Sequence, residues 1–208
     1  MKGLFIVFEG IDGSGTSTQA SLLENYFLNN YKKAILSPEP SSGPIGNLIR
    51  QILKKRVILT EDSQKFDEQM AYLFAADRHD HLYNDVDGVF KLINEGCQVI
   101  CTRYYFSSLA YNCQTKEDWN FIKSLNQRFP NPDLVIYINL PVESSLQRLS
   151  DRPQKEIYET KNKLIKVARN YRDIFAEYTG LLLQIDGTES KDIIHKKIIE
   201  FIQKKIIF

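Results

Sequence analysis

The apolar run Leu4–Phe8 passes directly into FEGIDGSGTSTQ, residues Phe8–Gln19. A buried strand, a glycine-rich turn and the start of a helix in immediate succession form the setting of a phosphate-binding loop, whose usual pattern is G-x-x-x-x-G-K-S/T. Gly10 and Gly15 have the right spacing, and Ser17 stands where a magnesium-binding hydroxyl belongs. The lysine position holds Thr16. In such a turn, backbone N–H groups and the helix N-terminus cradle phosphate oxygens, which takes glycines and geometry rather than a lysine. Gly10, Asp12, Gly13, Ser14, Gly15, Thr16, Ser17 and Thr18 are therefore candidate phosphate-binding residues. Thr16 donates a hydrogen bond but carries no charge, so its presence weakens the transition state more than nucleotide docking, and a cation from elsewhere is required. A strand-to-helix turn that binds nothing is the competing reading.

Beyond the loop, short apolar runs alternate with longer helical patterns. Leu4–Phe8, Lys33–Ser37, Gln98–Thr102, Leu134–Leu140 and Leu181–Ile185 read as strands without strict in/out alternation, as strands buried on both faces of a parallel sheet do. Between them, Thr18–Asn29, a helix opened by Pro44, Glu61–Leu82, Val142–Leu149, Ile157–Tyr178 and Ser190–Lys204 carry helical stripes. The alternation predicts an α/β fold with crossover helices in one domain, residues 1–208. Cys97, Cys101 and Cys113 form no paired framework and read as buried thiols of a reducing, cytoplasmic compartment, because no histidine lies near them in sequence to complete a metal site. A net charge of +1 gives no reason to expect nucleic acid as a partner. No apolar stretch approaches the roughly 20 residues that span a bilayer. The basic, amphipathic C-terminal helix is expected to close the core rather than lie on a membrane.

The segments FEGIDGSG, EPSSGPIG, LFAADRHDH, TRYYFSSLAY and DLVIYINLPVESSLQRL occur in that order. Together they resemble thymidylate kinases, the nucleoside monophosphate kinases that phosphorylate dTMP from ATP, over almost the whole chain. The resemblance implies a three-layer sandwich with a five-stranded parallel sheet flanked by helices, a homodimer, ATP as co-substrate and Mg2+ as cofactor. It places Asp12 at the sugar 3′-hydroxyl, Phe74 and Arg78 at the base, and Arg103 on the acceptor phosphate. Ser107, Ser108 and Tyr111 fall where the nucleoside pocket is lined, Tyr111 at the aromatic that disfavours a ribose 2′-hydroxyl. Ser17 and Glu9 are the expected magnesium organisers. A basic lid corresponds to about residues 148–158; with Gly13 in the loop, the chain resembles members whose catalytic arginine lies there, and Arg152, beside Arg148 and Lys155, is the candidate. Asp12, Arg103 and Arg152 are thus the candidate catalytic residues.

Bland readings compete: Phe74 as core, Arg78 with Asp77 as a surface ion pair, and His79, His81 and His195 as solvated. The chain departs from the family's pattern at Thr16, at Thr102 before Arg103, and at Asn139 in INLP, each replacing a charged residue. Loss of one positive and one negative neighbour leaves the local charge sum unchanged, so a paired substitution is one explanation. The alternatives are a catalytically weak nucleotide-binding homologue and a kinase of another deoxynucleotide.

Overall fold

The computed structural model describes residues 2–150, 158 and 160–206. Its strands are β1 (Phe5–Glu9), β2 (Ala34–Leu36), β3 (Gln98–Thr102), β4 (Leu134–Asn139) and β5 (Leu182–Asp186). They form a single sheet in the order β2-β3-β1-β4-β5, every pairing parallel. The helices are α1 (Thr16–Asn29), α2 (Pro44–Leu53), α3 (Ser63–Tyr83), α4 (Val89–Asn94), α5 (Tyr105–Asn112), α6 (Lys116–Asn126), α7 (Val142–Ser150), α8 (Lys161–Glu177) and α9 (Lys191–Lys205).

Strand periodicity divides the core into two layers. Phe5 and Val7 of β1 face one cluster with Val99, Cys101, Val135 and Tyr137, under α2, α3, α5 and α8. Ile6 and Phe8 face the other with Ile100, Ile136 and Ile138, under Leu23 and Phe27 of α1 and Ile194, Ile198 and Ile202 of α9. Both faces of the central strands are dry, which is why their sequences show no alternation. The edge strands β2 and β5 are only partly covered. The expected three-layer α/β architecture is the one observed, with α9 closing the second layer. No helix among the described residues is long and apolar enough to cross a membrane.

Several boundaries differ from expectation. Helix α1 begins at Thr16, because Gly15 (φ 98°) turns the chain directly into it. Three helices, α4, α5 and α6, lie outside the segments that the sequence reading marks as helical. Helix α5 buries Phe106, Ser108, Leu109, Ala110, Tyr111 and Asn112, so apolar and polar residues alike point inward. Helix α6 is mostly polar and is set by a capping box between Thr115 and Asp118.

The segment between β2 and α2 is fastened down on α3. Ser41 gives its N–H to Asp77 Oδ2 (2.7 Å) and its hydroxyl to Asp77 Oδ1 (2.6 Å), while Arg50 of α2 bonds the carbonyls of Pro40 and Ser41. Gly46 packs its α-carbon against the Ser41 backbone, where an added Cβ would collide. Gly46→Ala is therefore expected to cost about 1–3 kcal/mol, as overpacking of a rigid contact does, read as a lower urea midpoint at unchanged slope; an unaltered midpoint would show that this segment yields.

Candidate active site

Two strands that neighbour each other, β1 and β3, end side by side, and the turns leaving them build the site. The turn after β1 runs from Gly10 to Gly15, with positive φ at Gly10, Gly13 and Gly15. Helices α3, α6, α8 and α9 each begin with a side-chain cap, whereas α1, like α2, α4 and α5, has none. Its first N–H groups are thus left for an external acceptor. Within the turn, the Ser14 hydroxyl is buried without a partner, and nothing stands within 4 Å of where a Gly15 Cβ would be. Open space at the start of a helix whose first N–H groups have no side-chain cap fits a bound phosphate.

A cavity of about 620 Å³ opens here. Of the loop residues, Asp12, Gly13, Ser14, Gly15, Thr16, Ser17 and Thr18 line it; Gly10 lies behind it. Phe74 and Arg78, one helical turn apart on α3, line it as well, with Arg103, Ser107, Ser108 and Tyr111. Arg152 and Lys155 lie outside the described residues.

Arg103 comes directly after β3 in a left-handed conformation, φ 75°. That conformation costs a non-glycine residue of order 1–3 kcal/mol and persists only where neighbours impose it. Its own N–H is held by Phe8 O (2.9 Å). Its guanidinium reaches Asp12 Oδ1 (2.6 Å), Tyr171 Oη (3.0 Å) and the Gly10 carbonyl, and lies over the Tyr111 ring. Tyr111 donates to Asp12 Oδ2 (2.9 Å). The Arg103 side chain is still 19 % exposed and lines the cavity.

Glu9 is fully buried. Its Oε1 accepts the Tyr104 N–H (2.8 Å), and its Oε2 accepts the hydroxyls of Ser107 and Tyr171 (both 2.7 Å). These bonds occupy both oxygens and aim the carboxylate at the residues around Arg103. Glu9 does not line the cavity as Ser17 does, so its work here is to fix Arg103 and α8. Among the described residues Ser17 and Asp12 are hard oxygen donors on the cavity wall, which suits a magnesium ion that takes most of its ligands from water and phosphate.

Arg78 is 1 % exposed and is not a surface partner of Asp77. Glu39 receives its Nε–H (2.9 Å) and its Nη2 (2.7 Å), Asn126 Oδ1 its Nη1 (2.5 Å), and Ser108 Oγ its Nη2 (3.3 Å). A guanidinium pinned at this many points can offer a ligand only a fixed direction. His81 is also buried rather than solvated, with Nδ1 3.3 Å from Glu39 Oε1 and Nε2 2.6 Å from Ser37 Oγ. His79 is exposed and His195 half-buried.

Arg148, exposed on α7, is a second described cation that touches the loop, beside Arg103. Its Nη1 donates to Gly13 O (3.2 Å) and its Nη2 to Gly187 O (3.0 Å), joining the turn to the loop after β5. Thr16 itself is 7 % exposed, and Thr102 lines the cavity. Glu39, which opens the EPSSGPIG segment, also lines the wall, as do Tyr158, Glu189 and Lys191, and the sequence reading gives none of them a role. Tyr171, which orients both Glu9 and Arg103, reads in sequence as one more core position of α8. Only the polar head of its ring distinguishes it from a phenylalanine there.

Comparisons with known proteins agree with this geometry. Residues 8–198 match the family described as Thymidylate kinase. A putative thymidylate kinase of Treponema pallidum is 37% identical over 206 residues, 96% of this chain and 95% of the relative. A probable thymidylate kinase of Methanococcus aeolicus is 40% identical over 209 residues, 98% of each chain. Among solved structures, thymidylate kinase from Candida albicans superposes with a TM-score of 0.76 at 26% identity, covering 98% of this chain and 92% of that one.

Burial raises the Glu9 pKa above 4.5, against the opposing pull of Arg103 and of its three hydrogen-bond donors. The folded chain therefore keeps this proton to higher pH than the unfolded chain does. As pH rises from 4.5 through the folded value, wild type is expected to lose stability relative to Glu9→Gln, which has no such proton. Urea midpoints of both proteins across that range measure it, and a gap that stays constant with pH would contradict the assignment.

Proposed function

The chain belongs to the thymidylate kinase family and is a phosphotransferase, and on that premise we propose how its own residues carry the terminal phosphate of ATP to dTMP. The Gly10–Thr18 turn and the uncapped start of α1 take the ATP phosphates on backbone N–H groups. A magnesium ion held by the phosphates, water and Ser17, with Glu9 acting behind it through Arg103, would neutralise charge on the transferring group. Arg103 grips the acceptor phosphate through whichever of its N–H groups face the cavity, with Asp12 beside it at the sugar. Phe74 lies along the base and Arg78 hydrogen-bonds it, with Ser107, Ser108 and Tyr111 completing the pocket.

The observation that carries this reading is Arg103: a strained residue whose side chain lines the cavity beside an uncapped helix, held by Asp12, Gly10 and Tyr171, the last bonded in turn to Glu9. Phosphoryl transfer is mostly positioning and electrostatic stabilisation, so a preset arginine can take over much of what a loop lysine supplies. Arg148 contributes a second positive charge at the loop, and we assign to Arg152 the contact with the transferring phosphoryl group. We further propose a homodimer and, from three unpaired buried thiols, a cytoplasmic enzyme.

A coupled assay with ATP, Mg2+ and dTMP tests the reading. Wild type is expected to turn over dTMP in preference to dUMP, dGMP and thymidine. Arg103→Lys is expected to lose about a hundredfold or more in kcat/KM for dTMP, since misplacing a positioning group by an ångström costs that much. Absence of turnover with every nucleoside monophosphate would refute the assignment.

A further inference from the structure

At the back of the base pocket, three side chains from distant parts of the chain converge. Glu39 lies just beyond β2, His81 is on α3 and Cys101 is in β3. All three are buried, and a carboxylate oxygen, a ring nitrogen and the sulfur lie within 4.8 Å of one another. Each is also tied to the acceptor site. Glu39 Oε2 is 2.7 Å from Arg78 Nη2. The Cys101 thiol donates to the carbonyl of Arg103 (3.0 Å), the residue in the left-handed conformation.

The donors suit a particular class of ion. One sulfur, one imidazole and one carboxylate match zinc and its thiophilic relatives, not magnesium. In tetrahedral zinc, bonds of about 2.3 and 2.0 Å set sulfur and nitrogen roughly 3.5 Å apart, so side-chain movements of about an ångström close the site from within the 4.8 Å limit. The outer nitrogen of His81 is already engaged: Ser37 Oγ lies 2.6 Å from Nε2. A metal-bound imidazole typically has such a partner, which fixes its tautomer; Nδ1 faces the Glu39 carboxylate at 3.3 Å, a contact that a cation between the two would replace. Burial pushes the Cys101 thiol well up, so the uncomplexed sulfur keeps its proton; a bound dication expels that proton to solvent, and thiolate and carboxylate together neutralise the ion.

We propose that Glu39, His81 and Cys101 form a site for one thiophilic divalent cation of the zinc class, and that filling it weakens acceptor nucleotide binding. The cation draws Glu39 away from Arg78 and removes the S–H that supports the Arg103 carbonyl. Both arginines then lose a fixed partner at once. The site itself stands on these contacts alone; its inhibitory effect rests on the roles of Arg78 and Arg103 given above.

The test titrates cadmium chloride alone into the full chain, without nucleotide, and tracks the ultraviolet thiolate-to-metal absorbance. Wild type is expected to develop this band with one equivalent. Cys101→Ser should abolish it, Cys97→Ser and Cys113→Ser should keep it, and His81→Gln should weaken the affinity by about tenfold or more. The His81 variant decides the matter if Cys101→Ser does not fold. No band at one equivalent, a band that survives Cys101→Ser, or an affinity untouched by His81→Gln overturns the site. Calorimetry with dTMP reads the second half: one equivalent of cadmium is expected to weaken dTMP binding to wild type severalfold, and unchanged binding overturns the coupling. Because the absorbance arm contains no nucleotide, its outcome is independent of whether the chain phosphorylates dTMP.

Discussion

A single buried carboxylate, Glu9, organises the residues around Arg103. An ionised group taken out of water costs several kcal/mol unless it is paired and hydrogen-bonded. Glu9 at the end of β1 meets that demand with the Tyr104 N–H, the Ser107 hydroxyl and the Tyr171 hydroxyl. Those donors come from the β3–α5 junction, from α5 and from α8. One charge therefore fixes three elements around Arg103. The positive φ of Arg103 is held from both sides, by its N–H on Phe8 O and by the Cys101 thiol on its carbonyl. Strain stored in this way is usual where a side chain must be aimed before its ligand arrives.

The loop without its lysine fits the same logic. Its phosphate-binding capacity lies in three positive-φ glycines and an uncapped helix, none of which involves the side chain at position 16. Thr16 is nearly buried and adds no charge. Positive charge is supplied instead from around the loop: Arg103 on one side, and on the other Arg148, which binds carbonyls of both the turn and the segment after β5. The substitution changes where the charge is carried more than whether the site is charged.

Much of this was legible in the chain. The sheet was readable because β1, β3 and β4 are dry on both faces and so lack alternation, and the loop because its glycines lie close together in sequence. The polar network was not. ADRHDH looks like a solvated helix surface, yet Asp77, Arg78 and His81 are all buried, each satisfied by a residue of the loop after β2. Burial of charge depends on partners more than 30 positions away, which periodicity cannot register. Tyr171 shows the same limit: its stripe position marks it as core, and only three-dimensional proximity to Glu9 gives its hydroxyl a task. Helix α5 shows no amphipathic stripe because it is enclosed nearly all round and has no polar face.

The central claim is that Glu9, acting through Tyr171, presets Arg103 for a phosphate. Calorimetry of dTMP and of thymidine against wild type and Tyr171→Phe tests it directly, since the two ligands differ only in the phosphate. The variant is expected to bind dTMP several times more weakly while its affinity for thymidine stays as in wild type. Equal losses for both ligands, or no loss for either, would contradict the account.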